Sequence, residues 1–235
     1  MMSGYDRERL IEAVMNGEPV ESEDLRGVDL TGLDLGGANL RGSDLRNANL
    51  TGTNFQESHL ERVLLEGATL NGTDFTGAHL TGVTLKDMDL SSCILARVTA
   101  MECHLLRVVF SGRDMARARF DGSVFLYCLL RGLHLNGSSF QRSKLLFCTV
   151  EACSLEKSDL RECNLGLTRL SGTTFEEADL SRASFMACTL KDVKLLNAVL
   201  EGADLTLMHA DGLDVTGARQ KGILMEGATV RNLVR

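Results

Sequence analysis

The chain has 235 residues, of which 44% are hydrophobic and 24% charged, so it holds enough apolar material for a continuous core. Its net charge of −7 argues against general binding to nucleic acids or anionic membranes. The longest apolar run, VFLYCLL at residues 124–130, is too short to span a bilayer, and the charged N-terminal stretch lacks the apolar core of a signal peptide. We therefore expect a soluble, cytoplasmic protein that contacts neither nucleic acid nor membrane directly.

A short amphipathic helix is predicted near the N-terminus, at residues 5–16, YDRERLIEAVMN. Leu10, Ile11 and Val14 share one face of such a helix, and Gly17 follows where a helix commonly ends. We expect this helix to cover one end of the core that follows; the alternative is a frayed tail.

The rest of the chain carries a repeat of five residues. From residue 25 to residue 230, 34 of the 42 positions spaced five apart are Leu or Phe. The positions two residues earlier are mostly small or apolar, and all seven cysteines occupy such positions. The positions two residues later hold 19 of the chain's 23 glycines. Because the phase never slips, we expect no inserted loop.

A period of five fits neither a helix nor a straight strand. On a helix the repeated residues would point in many directions around the axis, and on a strand they would alternate between the two faces. It fits a chain that turns a corner every five residues, with glycine at the position of positive φ. Four corners close a square, so one coil takes 20 residues and the two apolar phases fill the interior. We therefore predict an all-β solenoid of about ten coils over residues 21–235, preceded by an N-terminal cap at residues 1–20.

The units ANLRG, SDLRN, ADLSR and TDFTG resemble those of the pentapeptide-repeat family. The resemblance covers nearly the whole chain and implies a right-handed quadrilateral β-helix. It implies no single function, because one fold serves many functions.

One side of the predicted rod changes from polar to apolar partway along its length. In the early coils its outward residues include Arg26, Arg46, Glu66 and Lys86. The later coils carry what we call the apolar stripe: Leu106, Val124, Leu126, Tyr127, Leu129, Leu146, Phe147, Leu167, Met186 and Leu207.

A contiguous exposed apolar patch usually marks an interface, so we predict that the apolar stripe binds a partner, with Tyr127 and Phe147 as anchors. Whether that partner is another protein or a second copy is left open. The other alternative is a surface that is apolar without any partner.

Arg113 is the misfit of the core pattern, because it occupies an inward position otherwise held by small residues. A buried unpaired arginine is costly, so the rod must bulge here, or the side chain must swing out or pair with an acid such as Asp114. We predict a local distortion or bend at residues 97–117.

The remaining chemistry-bearing residues point to no catalytic or metal site. No CxxC pair occurs, and every cysteine takes a small-core position, where a free thiol packs as a small hydrophobe. Cys128 and Cys148 are expected to stack on adjacent coils, as are His59 and His79, for which no third metal ligand is apparent. We predict no enzyme activity and no cofactor.

Three functional interpretations follow. The first is a non-enzymatic scaffold for protein–protein interaction that uses the apolar stripe. The second comes from the resemblance to the quinolone-resistance branch of the family, which implies a DNA mimic that binds gyrase or another topoisomerase and protects it from quinolones. The third is a bacterial secretion-system effector or accessory protein, since rods of this family occur there.

Overall fold

The computed structural model describes residues 6–235, which form one helix followed by a β-solenoid. The helix, α1, is Arg7–Met15. Tyr5, the first residue of the predicted helix, lies outside the described residues. Within the described part, the strands are three residues long: β1 Thr84–Lys86, β2 His104–Leu106, β3 Val109–Ser111, β4 Val124–Leu126, β5 Leu129–Arg131, β6 Lys144–Leu146, β7 Thr149–Glu151, β8 Arg169–Ser171, β9 Thr189–Lys191, β10 His209–Asp211 and β11 Thr229–Arg231.

Both ends of α1 are capped by local hydrogen bonds. The Asp6 carboxylate accepts from the Arg9 N–H at 2.9 Å, which satisfies one of the free donors of the first turn. At the other end, Gly17 takes a φ of +69° and the Glu18 N–H returns to the Ala13 carbonyl at 2.8 Å. The short helix is therefore stopped at both ends by its own sequence.

The apolar face of α1 lies on the first coil. Leu10 and Ala13 are buried in the same core as the coils, and Val14 packs against that core, while Ile11 is half-buried. The core pattern begins one unit earlier than predicted, because Val20 is buried as well. The short helix is confirmed, whereas the division of the chain at residue 20 stays a prediction.

All strand pairs are parallel, and each residue pairs with the one 20 positions later, as Thr84 does with His104. Isolated bridges continue the same step from Asp24–Asp44 to Asp214–Val234. One sheet has the order β1-β2-β4-β6 and the other β11-β10-β9-β8-β7-β5-β3. The all-β solenoid is confirmed; its longest continuous sheet spans seven coils, fewer than the ten predicted, and single bridges hold the rest.

The corners recur every five residues because one residue of each unit takes a left-handed conformation. At the corner after Leu25, Gly27 has a φ of +67° and the Val28 N–H donates to the Leu25 carbonyl at 3.2 Å. Glycine suits this conformation because it has no Cβ to clash. The same φ recurs at 23 non-glycine residues, so the fold imposes it on any side chain at that position.

Polar residues in the small-core phase are tolerated because their hydroxyls find partners inside the solenoid. The Ser43 hydroxyl donates to the Val20 carbonyl at 2.8 Å, and the Thr53 hydroxyl to the Leu30 carbonyl at 2.8 Å. Among the described residues, no buried side-chain N or O atom lacks a hydrogen-bond partner. The core therefore accepts serine and threonine at little cost.

Within residues 6–235, the bridge series is interrupted twice, each time beside an oversized inward side chain. No bridge forms between residues 69 and 89, directly after Met88, or between residues 94 and 114, directly after Arg113. Neighbouring coils in a regular solenoid are about 4.8 Å apart, and a large inward side chain forces them to separate.

The Arg113 side chain is half-buried, and its guanidinium lies against the backbone of the neighbouring coil. Its Nε donates to the Ser91 carbonyl at 2.5 Å, while Asp114 accepts from the Ala116 N–H instead of pairing with the arginine. The ladder resumes on the far side, where the His134 N–H bonds the Arg113 carbonyl at 3.0 Å. These contacts support a local irregularity; the bend that we predict there stays a prediction.

Replacing Arg113 by leucine is expected to raise the free energy of unfolding by about 1 kcal/mol, because a charged group leaves the core and an apolar one fills its place. Urea unfolding followed by circular dichroism measures the change. Arg119→Leu, at an outward position, is the matched control and should give no gain. Equal effects of the two substitutions, or a loss at Arg113, would contradict the expectation.

Candidate functional site

The apolar stripe follows one corner of the solenoid. Strands β4 and β6 end at Leu126 and Leu146, and the next residues, Tyr127 and Phe147, take φ values of 56° and 55°. The Tyr127 N–H donates to the Leu146 carbonyl at 3.1 Å, which ties each corner to the coil after it. Corner positions of successive coils therefore lie directly above one another.

Two columns of residues run along this corner. The corner column holds the left-handed residues Tyr127, Phe147, Leu167, Ala187 and Leu207. The flank column holds the residues just before them: Leu126, Leu146, Gly166, Met186 and Thr206.

Bulky apolar side chains in the left-handed conformation are confined to the corner column. Of the 23 non-glycine residues with positive φ, only four are large and apolar, and all four belong to this column; the others are Ala, Ser, Asn, Asp, Glu, Lys or Arg. Glycine would relieve the clash between Cβ and backbone, which costs about 1 kcal/mol for a side chain held this way. Neither the backbone nor the core thus explains why large apolar groups stand here.

Half of the predicted stripe residues are exposed and half are partly covered. The exposed fractions are 54% for Tyr127, 44% for Phe147, 47% for Leu167, 45% for Met186 and 51% for Leu207. The half-buried residues are Leu106, Val124, Leu126, Leu129 and Leu146. The structure thus brings all ten onto one continuous corner, with the exposed ones as its ridge.

The two aromatic residues of the stripe form a pair. The rings of Tyr127 and Phe147 stack with centroids 5.1 Å apart and an interplanar angle of 24°. Stacking on a neighbouring coil fixes both rings before any partner arrives, which lowers the entropic cost of binding through them.

Gly166 interrupts the flank column where its neighbours are Leu146 and Met186. It is buried and has no positive φ, and its N–H donates to the Asn164 side chain at 2.9 Å. The same turn accepts an arginine elsewhere, as Arg26 does, so the turn itself does not require glycine. A Cβ at Gly166 would lie 3.0 Å from Asn164 Oδ1 and 3.8 Å from Leu146 Cδ2, so neighbouring side chains close over the glycine and the flank column has no side chain of its own at this level.

Charged pairs flank the stripe. At its early end, Arg107 Nε lies 2.5 Å from Asp87 Oδ1, and this hydrogen bond lowers the pKa of the Asp87 carboxyl. Beside it on the next face, Arg131 Nε lies 2.7 Å from Glu151 Oε2. A polar rim around an apolar centre is typical of protein interfaces.

The sequence pattern located the stripe but not its relief, by which we mean the order of large and small side chains along the two columns. The missing side chain at Gly166 and the small Ala187 between Leu167 and Leu207 were not noted, because glycine and alanine are common throughout the repeat. The available signal was that Gly166 is out of phase with the corner glycines. Leu64 and Ile94 are also exposed, but each stands alone away from the stripe.

The histidines and cysteines show no site of their own. His59 and His79 stack as predicted, with ring centroids 5.0 Å apart, but within residues 6–235 no three potential ligands gather around a metal position. All seven cysteines are free and buried. Burial raises the pKa of Cys103 to about 11 and of Cys188 to about 12, and the hydrogen bond with Cys128 together with burial raises that of Cys148.

The native thiols are therefore expected to resist alkylation. All seven thiols are buried, and where the pKa is near 12, as at Cys188, roughly one thiol in ten thousand is ionised at pH 8. The pKa of Cys128 is instead lowered by its hydrogen bond with Cys148, so burial alone protects that thiol. Iodoacetamide at pH 8 should leave the folded protein unmodified and add seven groups after denaturation, as read by mass spectrometry. Rapid labelling of the folded protein would show that the coils open locally.

In the part of the chain that the structure covers, no helix is long and apolar enough to cross a bilayer.

Comparison with known proteins identifies the repeat. A family model described as pentapeptide repeats matches residues 24–62, 58–95 and 148–185, and among curated proteins no sequence matches the chain. The crystal structure of HetL, involved in heterocyst differentiation regulation in the cyanobacterium Nostoc sp. strain PCC 7120, is 24% identical; the match covers 95% of this chain and 96% of HetL with a TM-score of 0.63.

Two further structures resemble parts of the chain. QnrB1, a plasmid-mediated fluoroquinolone resistance protein, is 15% identical over 65% of this chain and 91% of its own in a trypsin-treated form, with a TM-score of 0.37. A pentapeptide repeat protein of the Arabidopsis thaliana thylakoid lumen is 23% identical over 58% and 68%, with a TM-score of 0.21. The five-residue corners, the 20-residue coil and the matched repeats together mean that the chain belongs to the pentapeptide-repeat family.

Proposed function

We propose that the protein is a non-enzymatic interaction scaffold that binds a protein partner through the apolar stripe. The observation that carries this proposal is the confinement of bulky apolar residues in left-handed conformation to the corner column. Large apolar groups kept in a strained and exposed position serve an interface more readily than they serve the fold. The free thiols in the core suit the cytoplasm that we expect for it.

The test replaces the anchors without straining the corner. Asparagine tolerates the left-handed conformation and already occupies equivalent corners at Asn47 and Asn197, so Tyr127→Asn with Phe147→Asn should fold normally. We expect this variant to lose at least tenfold in association, about 1.4 kcal/mol, whether with itself or with the captured partner. Sedimentation velocity and affinity capture from the native host measure it.

The control places charge on apolar residues outside the stripe. Leu64→Glu with Ile94→Glu alters two residues of comparable exposure and should leave association unchanged. Association that survives the asparagine variant, or that falls equally in the control, would rule out the stripe as the binding surface.

Mimicry of DNA toward a topoisomerase is the weaker alternative. Acidic residues on the rod are interspersed with arginines that neutralise them: Arg26 pairs with Asp24 at 2.6 Å, and Arg41 with Glu61 at 3.0 Å. A duplex mimic needs long unbroken rows of negative charge. Gyrase supercoiling with and without the protein distinguishes the two functions, and protection from a quinolone would favour mimicry. A role as a secretion effector has no feature here that supports it.

A further inference from the structure

We infer that the occupant of the apolar stripe is a second copy of this chain, packed antiparallel with its two-fold axis at Gly166 and Leu167. This inference rests on the proposed function of the stripe and names its partner. Three observations carry it: the relief of the two columns, the area they expose, and the charges beside them.

The relief is self-complementary when one column is reversed. Residues equally far from Leu167 on either side then face each other across the interface. In the corner column, Phe147 meets Ala187 of the second copy and Tyr127 meets Leu207, so the largest side chains face smaller ones. At the two-fold axis, Leu167 meets Leu167 of the second copy.

The flank column shows the same matching. Leu126 faces Thr206 and Leu146 faces Met186 of the second copy, while the two Gly166 residues face each other. Gly166 adds no side chain beside the two Leu167 residues that meet there, so the flank column does not compete with them for space at the axis. Away from the axis, a bulky side chain of one copy thus faces a smaller or similar one of the other, as close packing requires.

A parallel arrangement fits less well. It sets each flank residue against the corner residue of the same coil, so Leu126 meets Tyr127 and Leu146 meets Phe147, while Gly166 meets only Leu167. The bulkiest pairs then gather at one end, and the two rods would splay apart at the other.

The exposed area suffices for a specific dimer. Five side chains of the stripe are each about half exposed. They present roughly 500 Å² per copy, so two copies bury about 1,000 Å² through these residues alone, which reaches the lower bound of specific interfaces. The half-buried residues beside them add to this area.

Charges beside the stripe agree with the antiparallel arrangement. Lys144 is exposed on β6, and the Asp204 carboxylate accepts from the Thr206 N–H at 2.9 Å. Reversal places Lys144 one coil, about 5 Å, from Asp204 of the second copy, within reach of a lysine side chain. Each dimer would hold this pair twice.

Single cysteines introduced on the ridge test the arrangement with a short bismaleimide, to which the buried native thiols are inaccessible. Leu167→Cys should cross-link to itself, since that residue faces its own copy. Tyr127→Cys and Leu207→Cys, whose own copies lie four coils or about 19 Å apart, should each stay uncross-linked alone and form a covalent heterodimer at least tenfold more efficiently when mixed. Leu64→Cys, exposed outside the stripe, reports random collision.

Each outcome decides between arrangements. Self-linking of Tyr127→Cys alone would replace the antiparallel dimer by a parallel one and overturn the inference. No linking above the Leu64→Cys level, with host-protein capture still lost in the Tyr127→Asn/Phe147→Asn variant, would overturn the inference and leave the proposed function standing. No linking and no dependence of capture on that variant would overturn both.

Discussion

Replacing Phe125 by alanine is expected to lower the free energy of unfolding by about 3–5 kcal/mol, because a fully buried aromatic side chain leaves a cavity that the close-packed coils cannot fill. Phe125 is 1% exposed, and its ring contacts those of Phe110, Phe120 and Phe140 at centroid distances of 6.3, 5.4 and 6.0 Å. Urea unfolding followed by circular dichroism gives the value.

The matched control is Phe147→Ala, which removes the same side chain from the ridge of the stripe. Phe147 stacks only on Tyr127 and is 44% exposed, so we expect a loss of about 1 kcal/mol. We therefore propose opposite roles for the two phenylalanines, Phe125 in stability and Phe147 in association. A loss at Phe125 no larger than at Phe147 would mean that the aromatic cluster does not hold the middle of the solenoid together.

Deleting residues 153–157 is expected to abolish stripe-dependent association while the chain still folds. The deletion removes one five-residue unit, so the core phase continues, but every later coil turns by a quarter relative to the earlier ones. Leu167 and Leu207 move to the neighbouring corner, and Gly172 and Gly212 take their places above Phe147. We expect association to fall at least tenfold, about 1.4 kcal/mol or more.

Deleting residues 33–37 is the control of the same length. It lies before the stripe, so all stripe residues keep their places relative to one another and association should persist. Circular dichroism should show similar β content for both deletions. If both deletions abolish association, or neither does, alignment of the columns along one corner is not what binding requires.

The sequence alone was sufficient to place most residues on the inside or the outside of the rod. Phe125 and Tyr127 differ by two positions, yet the five-residue phase predicts that one is buried and the other exposed, and both predictions are confirmed. This succeeds because each unit makes the same local turn, so a residue's direction depends on its position in the unit and hardly on distant contacts.

The details of the site needed coordinates. Phase predicts that Leu126 points outward, but not that it is half-buried between the neighbouring coils. The five-residue phase did not predict an irregularity at Met88 either, because methionine is apolar like its neighbours. Only the missing bridge between residues 69 and 89 shows that the volume of this side chain separates the coils.

The amino-acid sequence by itself determined the period of five, the coil of 20 and the identity of the stripe, because these follow from local turns repeated without a slip. Only the tertiary structure decided that Tyr127, Phe147, Leu167 and Leu207 share a left-handed corner, and that the side chains of Asn164 and Leu146 close over Gly166. The reason is physical: direction is a property of one unit, whereas relief depends on how side chains of successive coils fill the space between them.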